Sequence, residues 1–442
     1  MKIRYLLLLL VGLLLLPDAY SRVFYVSPTG NDAGNSGTKT NPFASVMRAQ
    51  QAVEAGDTVY FREGKFLIPE NQIALKQGIW AMVNVLDKSG KPGKRINYWA
   101  YPGEKPVFDL SEVKPEGLRV MVFSVSASWI HIKGLEVVGT QVTILNHTQS
   151  ECFHNEGSNN IYEQLSMHDG QAIGFYLTKG SNNLILNCDA YRNYDFTSEG
   201  GKGGNSDGFG CHPSLGSTGN VFRGCRAWFN SDDGYDCIRA HESVTFENCW
   251  AFYNGYSTAF KSLADGNGFK AGGWGKTPED KLPEVIPSHT VQFCVAVRNK
   301  ANGFYSNHQL GGSYWYNNTA YENGTNYNML NRLHDNKTDV LGYKHVLKNN
   351  LGFGAKNYET QNIDTAQCEL ANNSFNMPEK VTKADFLSLD QSLLTAPRQT
   401  DGSLPDTNFL KLKKGSKLID GGTKLGFRYS GKAPDIGAFE SK

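Results

Sequence analysis

Four times the chain writes a polar residue, a glycine, an aromatic and a variable residue: Asp207-Gly208-Phe209-Gly210, Asp233-Gly234-Tyr235-Asp236, Asn267-Gly268-Phe269-Lys270 and Asn302-Gly303-Phe304-Tyr305. Asp207, Asp232, Asp233 and Asp236 therefore gather four carboxylates close to one amine, Lys270. Two like charges 4 Å apart repel by about 4 kcal/mol at an effective dielectric of 20, so such a cluster calls for a bound cation. Its donors are all oxygens, with no His or Cys, which selects Ca2+ or Mg2+ over zinc or copper, and the loose multi-carboxylate set favours Ca2+. The plainer reading is that these aspartates cap turns, as Asp-Gly often does, and that Lys270 is a surface partner for them.

A lysine beside a bound calcium ion is a candidate base. The cation would lower its pKa and the aspartates raise it, and the sequence leaves the sign of the net shift open. The chemistry this pairing suits is β-elimination at a uronic acid: the ion binds the C6 carboxylate, Lys270 removes the C5 proton, and the C4–O bond to the next sugar breaks.

The elements that position these groups are repeats. Cys188, Cys225, Cys249 and Cys294 each begin a Cys-x-Ala-x-x-Asn phrase ending at Asn193, Asn230, Asn254 and Asn299, and Asn318 to Asn323 repeats it once more. The starts are 37, 24, 45 and 24 residues apart, a unit of about 24 with two enlarged turns, which signals a solenoid. Short β-favouring runs such as Leu184-Ile185-Leu186 and Val244-Thr245-Phe246 precede each phrase, and no helical period runs through the region. Stacked units would form a parallel β-helix, with the asparagines in an amide ladder and the cysteines in an inward stack unsuited to disulfides. In that register Gly210, Asp236, Lys270 and Tyr305 share one position on successive coils, so Asp236 and Lys270 are neighbours. Insertions before Asp207 and Asn267 and a loop from Trp274 to Pro287 are expected to rise at one edge and wall a groove.

The segment 22–66 reads differently: strand, Gly/Asn-rich loop, amphipathic helix Pro42–Ala55, strand Thr58–Phe61, a cap for the solenoid's open end. Repeats are most regular over 128–376, and Asp435–Phe439 reads as a closing strand. Residues 22–442 are expected to form a single β-helix domain. Ahead of them, Lys2, Arg4, the apolar run Leu6–Leu16 and Ala19-Tyr20-Ser21 read as a signal peptide cleaved near Ser21, implying export to a bacterial periplasm or beyond. The net charge of +1 gives no reason to expect nucleic acid, and no later apolar stretch is long enough for membrane insertion. A monomer is expected.

Asn205-Ser206-Asp207-Gly208, Ser231-Asp232-Asp233-Gly234-Tyr235-Asp236 and Asn267-Gly268-Phe269-Lys270, together with the cap, resemble polysaccharide lyase family 9. The resemblance implies an all-β, right-handed parallel β-helix with a short N-terminal helical cap. It implies calcium on Asp207, Asp232, Asp233 and Asp236, Lys270 as the Brønsted base, and a pectic substrate, polygalacturonate or the rhamnogalacturonan backbone. Two other readings compete: a polygalacturonase-like hydrolase on the same solenoid, whose Gly-His-Gly does not occur here, and a non-catalytic carbohydrate-binding solenoid. Arg239, Lys261 and Arg298 are candidates for pairing with substrate carboxylates, and Trp274 and Tyr305 for stacking on sugar rings.

Overall fold

The computed structural model describes residues 21–441, so the apolar leader read as a signal peptide lies outside the described residues. Three long sheets, of 12, 10 and 11 strands, take every third strand of the chain in turn through the central coils. One coil runs Leu184–Leu186, Asp189–Tyr191, Phe209–Cys211; the next lays Asn220–Arg223, Arg226–Trp228 and Tyr235–Asp236 directly on it in parallel register. This is the parallel β-helix that the repeats predict.

Single left-handed residues make the sharp turn between the first two sheets: Asn187 (φ 55°), Gly224 (φ 66°), Asn248 (φ 52°), Phe293 (φ 55°) and Asn317 (φ 51°). Asn and Gly suit this conformation, which explains why they punctuate the repeat. At the second turn the asparagines are wholly buried and form the expected ladder. Asn193 Nδ2 donates to Asn230 Oδ1 (3.1 Å), Asn230 to Asn254 (3.1 Å), Asn254 to Asn299 (2.9 Å) and Asn299 to Asn323 (2.9 Å). Buried amides are costly unless bonded, and here each coil bonds the next. Cys188, Cys225, Cys249 and Cys294 are likewise buried in a stack, and all eight cysteines are free thiols.

At the N-terminal end the strand Val23–Val26 pairs with Thr58–Phe61, and the helix Val46–Ala52 covers the first coil with Val46 and Ala49. The helix is shorter than the sequence suggests: Ser45 caps its start by accepting from Arg48 N, and Val53 turns extended after it.

At the other end, residues 377–441 fold back along the outer face of the 10-stranded sheet. Phe386, Leu394, Phe409 and Leu418 pack there against Trp228, Trp250, Phe252 and Val297, so strands of this sheet are buried on both faces. Arg226 and Arg398 both clasp Asp189, and Arg226 also donates to Leu394 O and Ala396 O, fastening this segment down. Asp435–Phe439 is not the closing strand expected. Asn317 Nδ2 donates to Asp435 O and Gly437 O, and Gly437 N to Asn349 O, so its backbone bonds to the sharp turns between the first two sheets and extends no sheet.

Candidate active site

The repeated phrase divides its work by position. The glycine is required by the next coil: a Cβ on Gly234 would lie 2.6 Å from Gly268 O, and one on Gly268 2.6 Å from Gly303 O. The aromatic points inward and stacks, Phe209 on Tyr235 at 4.9 Å and Tyr235 on Phe269 at 4.6 Å, both within 7° of parallel. The first and fourth positions are left for chemistry. The fourth-position register is as the sequence predicts, Gly210 beside Asp236, Asp236 beside Lys270 and Lys270 beside Tyr305.

These strands sit mid-way along the 11-stranded sheet. Asp207, Asp232 and Asp233 are buried, with one carboxylate oxygen of each within 4.8 Å of the others. Asp207 Oδ1 accepts from Asp233 N (3.0 Å), Asp232 Oδ1 from Asp265 N (3.1 Å), and Asp233 Oδ1 from Asn267 N (2.7 Å) and Asn267 Nδ2 (2.8 Å). Lys270 Nζ lies 2.9 Å from Asp233 Oδ2 and 3.0 Å from Asp236 Oδ2, and only the contact to Asp236 has hydrogen-bond alignment. Asp236 thus stands beside the trio, its other oxygen accepting from Ile238 N (2.7 Å).

Burial, then the neighbouring acids, push the Asp207 and Asp232 carboxyls well above the usual range. Burial also raises Asp233, against the pull of Lys270. For Lys270 burial opposes the charge, but Asp233, Asp236, Asp232 and Asp207 outweigh it and hold the ammonium well above its ordinary pKa. The sign left open by the sequence is therefore upward as far as the protein's own groups set it.

The walls differ from expectation. Residues 192–208 and 253–268 rise where the chain enters the 11-stranded sheet, as inferred, but 271–289 rises where it leaves, on the opposite edge. The acids and Lys270 therefore lie on the floor of a two-walled trough. Each wall is tied down: Ser231 Oγ donates to Gly203 O (2.6 Å), Lys300 Nζ to Leu263 O (2.7 Å), and Trp274 Nε1 to Ala240 O (2.9 Å).

Trp274 is 3% exposed and serves the wall, not the surface. Arg298 lies over the Phe260 ring at 4.2 Å, supporting the 253–268 wall. Arg298 and Lys300 both serve that wall, and neither pairs with the acids. Lys261 is exposed on the same wall, and Arg239 is exposed in the turn just beyond Asp236, without a carboxylate partner among the described residues.

One neighbour was missed by sequence reading. A Cβ on Gly210 would lie 2.3 Å from Tyr176 Cδ2, so the Tyr176 ring occupies the space the glycine leaves next to Asp236. The signal was present: Phe153-His154 and Phe175-Tyr176 continue the aromatic-plus-variable pair upstream, without the preceding Asp-Gly or Asn-Gly.

Comparison with known proteins agrees with this architecture. A family model described as Pel9A-like, right-handed beta helix region, matches residues 24–350, and one described as rhamnogalacturonan lyase-like, C-terminal, matches 364–435. Pectate lyase L of Dickeya dadantii is 35% identical, over 95% of this chain and 90% of that protein. A solved rhamnogalacturonan lyase superposes with a TM-score of 0.86 at 47% identity, over 89% of this chain and 97% of that one. The crystal structure of pectate lyase Pel9A does so with a TM-score of 0.76 at 34% identity, over 96% and 97%.

Proposed function

The chain belongs to the Pel9A-like right-handed β-helix family, and we propose that it cleaves the uronic-acid-containing backbone of a pectic polysaccharide by β-elimination, with Lys270 as base beside Ca2+ on Asp207, Asp232, Asp233 and Asp236. It is a polysaccharide lyase, the class its relatives' names give. The observation that carries the residue assignment is the register that sets Lys270 one coil from Asp236 and in contact with Asp233, next to a buried acidic trio.

The residues present fit a hard divalent cation. Three buried carboxylates converge, all donors are oxygens, and burial and then mutual repulsion raise their carboxyls, a cost that a cation offsets. Asp236, beside them, is the fourth ligand of this reading. When bound, Ca2+ supplies charge that steadies a uronide C6 carboxylate and acidifies its C5 proton.

Lys270 takes that proton at Nζ. The C5–H electron pair becomes a C4–C5 double bond, the C4–O bond breaks, and the leaving oxygen takes up a proton, with no water consumed. How firmly Lys270 keeps its own proton depends on how much Asp233 and Asp236 charge remains free to hold it. The two walls confine the polymer over Nζ.

Of the two pectic backbones, rhamnogalacturonan is the better supported, by the higher identity to the rhamnogalacturonan lyase structure and by the C-terminal family match. The protein is read as an exported monomer. Incubation with each pure polymer and Ca2+ should raise ultraviolet absorbance from unsaturated uronide ends, most with rhamnogalacturonan. A chelator and Lys270→Ala should each abolish that signal. New reducing ends without absorbance would mean a hydrolase, and wild-type rates in Lys270→Ala would remove the base assignment.

A further inference from the structure

The outward ladder that carries Asp236 and Lys270 continues upstream through Gly210 to Tyr176 and His154, in unbroken register. His154 is four strand spacings from Lys270, roughly 19 Å along the solenoid axis at about 4.8 Å each. Around it the trough floor becomes aromatic. Tyr176 stacks on His154 (6.0 Å, 26°), Trp80 approaches His154 (6.4 Å), and the Arg119 guanidinium lies over Trp80 (5.5 Å).

We infer that Trp80, Arg119 and Tyr176 form a distal subsite for the same acidic polysaccharide, with the half-buried Trp80 and Tyr176 side chains contacting sugars and Arg119 a uronate carboxylate. The inference rests on the lyase reading, and it has the enzyme grip several sugars to one side of the cut.

Three observations carry it. The first is charge. His154 is paired to Glu151 (2.5 Å) and Lys179 to Glu156 (2.7 Å), whereas Arg119 donates only to Thr148 Oγ1 (3.1 Å) and has no carboxylate partner among the described residues. The ion-paired His154 is then a positioning residue that props the Tyr176 ring, and Arg119 is the cation left for a ligand.

Exposure is the second. Trp80, Arg119 and Tyr176 are half-buried on the outer face, and the Trp80 indole N–H donates to no group among the described residues. Half-buried rings suit contact with sugars, while a core role would bury them; the Tyr176 ring is held between those of His154 (6.0 Å) and His212 (5.0 Å).

The third is continuity of the wall. Thr148, which holds Arg119, belongs to the loop 139–150, and that loop bonds onward: Glu199 N donates to Leu145 O (2.7 Å), and Asn205 Nδ2 donates to Glu199 Oε2 (2.9 Å). Asn205 lies two residues before Asp207. One wall therefore runs from the aromatic cluster to the acids, and Leu145 (72% exposed) and Phe196 (60%) stand out from it.

The test compares wild type, Trp80→Ala, Trp80→Phe and Arg119→Ala on the polymer that wild type cleaves and on its size-fractionated oligosaccharides. For Trp80→Ala and Arg119→Ala, KM on polymer and long oligosaccharides should rise about tenfold with kcat nearly unchanged, equivalent to about 1.4 kcal/mol of binding. Trisaccharides, too short to reach the cluster, should be cleaved at wild-type rates by every variant, and Trp80→Phe should restore most of the loss. Equal losses at all lengths would mean a merely structural role, and unchanged KM on polymer would remove the subsite. A wild type that yields no unsaturated product from any pectic polymer would instead overturn the lyase reading itself.

Discussion

Lys270 and Asp236 face each other across adjacent coils, in register, with Nζ 3.0 Å from Oδ2. The cation of the site is thus bonded to the carboxylates that the proposed calcium ion would use, and the two must compete. Lys270→Met should leave those acids without a counter-charge and destabilise the calcium-free protein by about 3–5 kcal/mol, the usual result of removing one partner of a buried pair. Calcium should then bind more tightly and restore more stability than in wild type. Thermal melts and calorimetric titration with and without Ca2+ check this; unchanged affinity would mean that the ion binds elsewhere.

Gly210 is where Tyr176 lies across the ladder, and Gly210→Ala forces the two apart because the new Cβ would come within 2.3 Å of the ring. The ring edge can move outward at a cost of about 1–3 kcal/mol, typical of overpacking. Activity should suffer more than stability: kcat/KM on polymer should fall about tenfold while cooperative unfolding persists. A variant with full activity would show that the Tyr176 position is immaterial to the reaction.

Asn299 joins three coils. Its side chain accepts from Asn254 N and Nδ2, and its amide donates to Asn323 Oδ1 and Ala251 O. Asn299→Ala should orphan several buried groups and cost at least about 3 kcal/mol, given roughly 1–3 kcal/mol for each unpaired partner. Urea titration should register that loss while activity per folded molecule stays near wild type.

His154 links stability to pH. Burial opposes its charge, but Glu151 and Glu156 outweigh burial and push its pKa up to about 9. A raised folded-state pKa means that its contribution is fully present below the ordinary value near 6.5 and is lost as pH rises through about 9. Wild-type stability should therefore decline across that interval, and His154→Gln should flatten the decline. Melting temperatures from pH 6 to 10 measure both.

Much of the fold was legible because repetition is itself a physical constraint. Asn193, Asn230, Asn254 and Asn299 recur with one phrase, and a buried amide that bonds to its own copy on the next coil fixes both the stack and its register. That register by itself places Asp236 beside Lys270. The Asp435–Phe439 strand was misread because an apolar pattern does not reveal which partner supplies its hydrogen bonds; here Asn317 and Asn349 do.

Sequence alone thus determined the coil, its inward ladders and the order of acids and base along one face, since these depend on spacings within and between neighbouring units. The tertiary structure decided which edge each long loop occupies, that Arg298 and Trp274 support walls, that the C-terminal segment is fastened through Asp189 and Arg398, and that Tyr176 fills the space at Gly210. Those contacts join side chains whose separation is set by turns of irregular length, and no repeat constrains them. They were settled only when the stacked coils brought the loops into contact.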